Sequence, residues 1–130
     1  MKQYSIIYAD PPWWYSDPTK SGYPPYPLMK TENICALPVG DLAAKDCTLF
    51  LWATAFRLPE AFKVLDAWGF AYKNILVWDK VKQLFSYYGR GNVELLLIGG
   101  KGRSRPNNLK GMPSAVHTEP KTAHSVKPEW

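Results

Sequence analysis

Apolar residues along this chain fall into two kinds of run. Tyr4-Ser-Ile-Ile-Tyr-Ala is a short, nearly continuous apolar stretch that stops at Asp10-Pro-Pro, as a buried strand ended by a turn would. Cys47-Thr-Leu-Phe-Leu-Trp-Ala-Thr is a second such run, and residues 70–78 and 93–98 are two more. Between them the period changes. Leu58, Ala61, Phe62, Leu65 and Trp68 recur at helical spacing, and Gly69 closes the stripe. Thr31-Glu-Asn-Ile-Cys-Ala-Leu predicts a shorter helix with Thr31 as its N-cap and an end near Pro38 and Gly40. Strands apolar along both faces, separated by a helix, predict an α/β layer with a mostly parallel sheet. Ligands bind such sheets at the carboxyl ends of strands, which directs attention to Asp10.

Composition narrows the reading. The 130 residues have room for one domain, and 46% apolar content with 15% aromatics supports a packed core. No run approaches the roughly 18 apolar residues of a membrane span, and the opening Met-Lys-Gln-Tyr-Ser lacks the apolar stretch of a signal peptide, so the expected compartment is the cytoplasm. Cys35 and Cys47 show no metal-ligand spacing and read as buried thiols; His117 and His124 stand too far apart to suggest a metal site. Pro11, Pro12, Pro18, Pro24, Pro25 and Pro27 exclude a helix over residues 11–27.

The net charge of +5 is uneven. Residues 1–100 carry ten Lys/Arg against nine Asp/Glu, and residues 101–130 carry six against two. The segment from Lys101 through Arg103 and Arg105 to Lys110 therefore reads as a basic loop suited to phosphates, or as a solvated surface loop.

Asp10-Pro11-Pro12-Trp13 joins a carboxylate, a rigid extended pair and a large flat ring at a strand end. The carboxylate accepts hydrogen bonds from an amino group, the prolines fix the backbone so that a carbonyl can accept another, and the indole offers a stacking face. Such a set describes a receptor for a planar base with an exocyclic amine. The amine of adenine is a poor nucleophile because its lone pair is delocalised into the ring. Two acceptors aimed at its hydrogens favour a pyramidal nitrogen and release that lone pair. Extruding a base into a pocket and stacking it on an aromatic face is how enzymes reach atoms inside nucleic acid. Read alone, Asp-Pro-Pro is more often an aspartate capping a proline turn, with Trp13 merely packed. The aromatics that follow, Trp14, Tyr15, Tyr23 and Tyr26, favour the receptor.

Ile6-Ile-Tyr-Ala-Asp-Pro-Pro-Trp resembles the signature of the MT-A70 family of adenine-N6 methyltransferases. The resemblance continues through Tyr26-Pro-Leu-Met, Glu32-Asn-Ile-Cys-Ala-Leu-Pro-Val, Leu49-Phe-Leu-Trp-Ala-Thr, Ala67-Trp-Gly-Phe, Asn92-Val-Glu-Leu-Leu-Leu-Ile-Gly-Gly-Lys-Gly and His124-Ser-Val-Lys-Pro-Glu. It implies a Rossmann-like class I methyltransferase sheet in permuted motif order, transfer from S-adenosylmethionine to adenine N6, and DNA as substrate with RNA as the alternative. It implies that Asp10 and the Pro11 carbonyl bind the target amine, that Pro12 shapes the turn and that Trp13 lines the base pocket. It implies cofactor contacts from Asp10, Lys101, Ser125 and Lys127, and nucleic-acid contacts from Tyr15, Tyr26, Arg103, Arg105 and Lys110. Trp52, in a predicted buried strand, is expected in the core. The family pattern continues with a helix and a cofactor-binding strand that have no counterpart before Trp130, so the expectation is a single partial domain over residues 1–130. Its cofactor binding would be weak or absent when alone, and a partner chain or oligomer would complete the sheet. The alternative is a non-catalytic nucleic-acid-binding subunit, or a truncated remnant lacking cofactor binding.

Overall fold

A computed structural model describes residues 2–14, 27–86, 88–105, 113–122 and 126–128. Strand β1 (Tyr4–Ala9) is followed by two short helices, α1 (Thr31–Ala36) and α2 (Val39–Leu42), and by β2 (Ala43–Thr54). A 3-10 turn (Ala55–Arg57) leads into α3 (Leu58–Ala67), then β3 (Ala71–Ser86), β4 (Gly89–Lys101) and β5 (Val116–Thr118). The strands form one sheet in the order β1-β2-β4-β3-β5. β1 pairs parallel with β2, β4 runs antiparallel to both β2 and β3, and β5 is parallel to β3. Four strands thus share one direction and β4 is reversed between β2 and β3. This mixed α/β sheet is consistent with a methyltransferase-like fold but is not the mostly parallel sheet expected, because β4 enters between β2 and β3 in the opposite direction. Among the described residues no helix is long and apolar enough to cross a membrane.

The both-faced apolar pattern of β2 and β4 is explained by two clusters on opposite faces of the sheet. Leu49, Leu51, Ala53, Leu95 and Leu97 pack with Ile34 of α1 and Ala61, Val64 and Leu65 of α3. Their alternates Trp52 and Leu96, with Leu76 and Trp78 of β3, form a smaller cluster on the other face. The helical face is fastened by Trp68, whose Nε1 donates to the Ile34 carbonyl at 3.0 Å. α3 has Pro59 in its first turn and ends at Gly69 (φ +86°), where the Gly69 and Phe70 amides donate to the Asp66 and Leu65 carbonyls. That is the Schellman arrangement the sequence anticipates.

Three local expectations are corrected. β1 is expected to be buried, yet among the described residues it is an edge strand paired with β2, and Tyr4 (45%), Ile6 (64%) and Tyr8 (60%) are exposed on the face opposite Ile7 and Ala9, which pack on the core. Thr31 is the first helical residue of α1 and not its cap; Lys30 holds the cap position without a side-chain bond. β3 and β4 run past their apolar cores into a long hairpin that periodicity does not reveal.

The turn after β4 rests on Gly102, at φ +65°, where a Cβ would overlap Asp46 Oδ1 and the Lys45 carbonyl oxygen. The same Asp46 Oδ1 accepts from the Arg103 amide at 2.8 Å. Gly102→Ala should therefore cost about 1–3 kcal/mol, read as a fall of roughly 5–10 °C in the thermal unfolding midpoint. An unchanged midpoint would contradict this packing of the turn on the β2 entry.

Candidate active site

The carboxyl ends of β1 and β2 and the Glu94 region of β4 meet at one edge of the sheet, since Ala9 pairs with Leu51 and Thr54 with Glu94. Glu94 also pairs with Trp78 of β3, so one buried carboxylate sits between the end of β2 and the middle of β3. Asp10 follows β1 directly at the same edge.

A lysine joins the two acids. Lys127 Nζ lies 2.8 Å from Glu94 Oε1 and 3.3 Å from Asp10 Oδ2. Lys80 Nζ lies 2.8 Å from the second Glu94 oxygen, Oε2. Both ammonium groups also face indoles, Lys127 at 5.2 Å from the Trp52 ring centroid and Lys80 at 5.3 Å from that of Trp78. The two indoles meet edge to face at 6.1 Å. Trp52 Nε1 donates to the Tyr8 hydroxyl at 2.6 Å, which ties this floor back to β1. Lys80 is aimed by a local irregularity: β3 shifts register between Asp79 and Leu84, and Val81 adopts φ +75° with its amide on Asp79 Oδ1.

These contacts set the proton affinities. For Glu94, burial acts to raise the carboxyl pKa, but hydrogen bonds and charge from Lys127 and Lys80 overcome it and hold the group below its usual value. Burial acts to lower Lys127, and its bonds to Glu94 and Asp10 raise it instead. Asp10 shifts the other way. Burial raises its pKa, the Lys127 charge and bond oppose this without cancelling it, and the Glu94 charge adds to the rise. Asp10 Oδ2 faces Lys127, and among the described residues Oδ1 has no hydrogen-bond partner.

The tetrapeptide is pinned from beneath. The Trp13 amide donates to the Pro11 carbonyl at 2.9 Å, a three-residue turn around Pro12, and the Met29 amide donates to the Pro12 carbonyl at 2.8 Å. The Pro11 carbonyl keeps one lone pair for a further donor. Trp13 itself is only 6% exposed and donates Nε1 to the Trp52 carbonyl at 3.1 Å. Its indole belongs to the core that anchors the turn, so its placement supports the packed alternative and not an open stacking face. Trp14, the next residue, is 42% exposed.

Asp10, Pro11, Pro12, Trp13 and Lys127 are thus brought together. Lys101, Arg103 and Arg105 are not: Lys101 pairs with Cys47 at the far end of β4, about 23 Å along the strand from Glu94. Tyr15, Tyr26, Lys110 and Ser125 lie outside the described residues. Sequence reasoning placed Trp52 correctly in the core and missed its second role as the surface under Lys127. It also missed Glu94 and Lys80. The available signal was a lone acid opening the apolar run Val93-Glu-Leu-Leu-Leu, since a charge in a doubly buried strand needs a partner.

The sequence model of the MT-A70 family matches residues 4–130. The chain is 28% identical to the type II methyltransferase M.MunI of a Mycoplasma species over 98% of its own length, covering 64% of that protein. It is 29% identical to an N(6)-adenosine-methyltransferase MT-A70-like protein of Drosophila melanogaster, again over 98% of its length but only 21% of the relative. A probable N(6)-adenosine-methyltransferase of rice is 30% identical over 81% of the chain and 15% of the relative. The chain therefore spans just under two thirds of the first of these proteins and a much smaller part of the others.

Proposed function

The chain belongs to the MT-A70 family, and on that premise we propose that it transfers a methyl group from S-adenosylmethionine to the N6 amine of adenine in DNA. The observation that carries the reading is Asp10 at the sheet's carboxyl edge, with one oxygen fixed by Lys127 and the other without a hydrogen-bond partner among the described residues. The target is adenine because the relatives' names specify adenosine. DNA is preferred to RNA because the resemblance implies DNA first, and the chain makes up far more of the Mycoplasma type II methyltransferase than of the fly protein.

In this mechanism Asp10 Oδ1 and the Pro11 carbonyl accept the two amine hydrogens, which localises the nitrogen lone pair. Lys127 stays on Glu94, its closer partner, and keeps Asp10 Oδ2 from rotating away. When bound, S-adenosylmethionine supplies an electrophilic methyl group. Once methylated, the nitrogen is strongly acidic and releases its proton; Asp10, with its raised pKa, is suited to hold that proton at Oδ1.

The residues fit the methionine end of the cofactor in part. Lys127 can hold a carboxylate beside Asp10, whereas Lys101 sits at the opposite sheet end. The outer edge of β1, unpaired among the described residues, is where a further strand, from a partner chain or a second copy, would pair and supply the remaining contacts. With both described cations at the site, Lys80 and Lys127, already paired to Glu94 and Asp10, the isolated chain should bind S-adenosylmethionine weakly, with Kd above about 100 μM by isothermal titration calorimetry. Low-micromolar binding would overturn the incomplete-site reading. The same geometry favours a second reading, nucleic-acid binding without transfer. Salt-dependent DNA binding by a chain that transfers no methyl group at millimolar cofactor would select it.

A further inference from the structure

Beside the tetrapeptide is a cleft of about 260 Å³ lined by Trp14, Lys30, Thr31, Glu32 and Arg57. Three segments that meet at the Asp10 edge build it. Trp14 continues the tetrapeptide, Lys30 follows the Met29 that bridges to Trp13, and Arg57 closes the turn leaving β2. We propose that this cleft holds a nucleotide flanking the target adenine in single-stranded or locally opened DNA, its base stacked on Trp14 and its phosphate held by Lys30 and Arg57.

Five observations converge. An indole exposed beside a buried one offers the stacking surface that Trp13 does not supply. Among the described residues neither Lys30 nor Arg57 forms an ion pair with a carboxylate, so two cations share a cleft with one acid and the lining keeps a net positive charge. The volume falls just below the roughly 300–1,000 Å³ of small-molecule sites, which suits one nucleotide and not a longer ligand. Trp14 is four residues from Asp10, at most about 14 Å along an extended chain, so an occupant here adjoins a base held at Asp10. Glu32 adds an acceptor suited to an amino-bearing base. Indole stacking with phosphate contacts is the ordinary chemistry of single-strand recognition.

The inference rests on Asp10-Pro11-Pro12-Trp13 being the target-base site, and its test separates the two. Affinity is measured by fluorescence anisotropy with a labelled 12-nucleotide single-stranded DNA containing one adenine. Trp14→Ala should weaken binding about 5- to 100-fold, while Trp14→Phe, which keeps a stacking face, stays within about threefold of wild type. Lys30→Gln and Arg57→Gln should each reduce the slope of log affinity against log salt by about 0.7. Because Trp14 is exposed, thermal melts should show both Trp14 variants folded. Wild-type affinity in Trp14→Ala, or unchanged salt slopes in the two cation variants, would overturn the cleft assignment while Asp10-dependent transfer still stood. A wild-type chain that binds no DNA would overturn both readings. Tighter binding of the matching RNA strand, still dependent on Trp14, would keep the stacking site and overturn DNA as its ligand.

Discussion

Asp10→Ala should lower methyl transfer to adenine by at least about a hundredfold while the protein stays folded. The magnitude follows from the loss of an acceptor aimed at the reacting amine, since removing one well-placed polar group that acts in the transition state costs about 10²–10³ in rate. The fold should survive because of the sign of the Asp10 shift. Its folded-state pKa is raised, so the ionised carboxylate is less favourable in the folded chain than in the unfolded one. The stability linked to this group is present at low pH and is lost as pH rises through its folded pKa. Deleting it at neutral pH removes a cost and not a support, and Lys127 retains its closer partner Glu94. The measurement is transfer of labelled methyl from millimolar S-adenosylmethionine to adenine-containing DNA, alongside thermal melts of both proteins. Asp10→Asn keeps one acceptor oxygen but cannot hold the released proton, and should fall between the two. A variant lacking the Asp10 carboxyl that transfers at the wild-type rate would remove Asp10 from the mechanism.

The sheet and the tetrapeptide were legible because each follows from local signals. Apolar runs ending at Asp10-Pro-Pro and at Gly69 specify where chain segments stop, and proline and glycine act within a few residues. The edge position of β1 was not legible, because a strand's exposure depends on which neighbours arrive, and Tyr4-Ser-Ile-Ile-Tyr-Ala reads the same at an edge or in the centre. The resemblance matched both Lys101 and Lys127 to cofactor contacts, yet they end on opposite sides of the sheet because β4 is reversed and carries Lys101 away from the Asp10 edge. The same reversal brings Glu94 in. Antiparallel insertion of one strand thus exchanged the lysine expected at the site for an acid that no local pattern marks as its partner. Trp13 shows the complementary limit: the motif indicates an indole at the strand end, and only packing reveals that the ring turns inward to Trp52 and leaves Trp14 outside.

Glu94→Gln should be the most destabilising single change in the site, costing about 3–5 kcal/mol out of a total that for domains of this size is about 5–15 kcal/mol. The substitution leaves Lys80 and Lys127, whose side chains are 12% and 14% exposed, beside a neutral amide. Lys80 then has no carboxylate among the described residues, and Lys127 keeps only the longer contact to Asp10. The pH dependence has a definite sign. Because the folded pKa of Glu94 is lowered, its contribution is fully present above the unfolded value near 4.5 and is lost as pH falls through the folded value. Because that of Lys127 is raised, its contribution is present below the unfolded value near 10.5 and disappears as pH rises through the folded value. The wild-type chain should therefore lose stability at both ends of this window. In Glu94→Gln the acid limb should flatten, and urea unfolding at about pH 3, 7 and 11 measures both effects. Truncating one member of a buried ionic cluster differs from replacing all of it. The triple variant Glu94→Leu, Lys80→Met and Lys127→Met should recover most of the lost stability, since apolar side chains of similar volume over Trp52 and Trp78 need no partner. It should not recover methyl transfer, because nothing then fixes Asp10 Oδ2. Restored stability with restored transfer would mean that the lysine-linked acids only hold the fold, and wild-type stability in Glu94→Gln would mean that the cluster is solvated and contributes to neither.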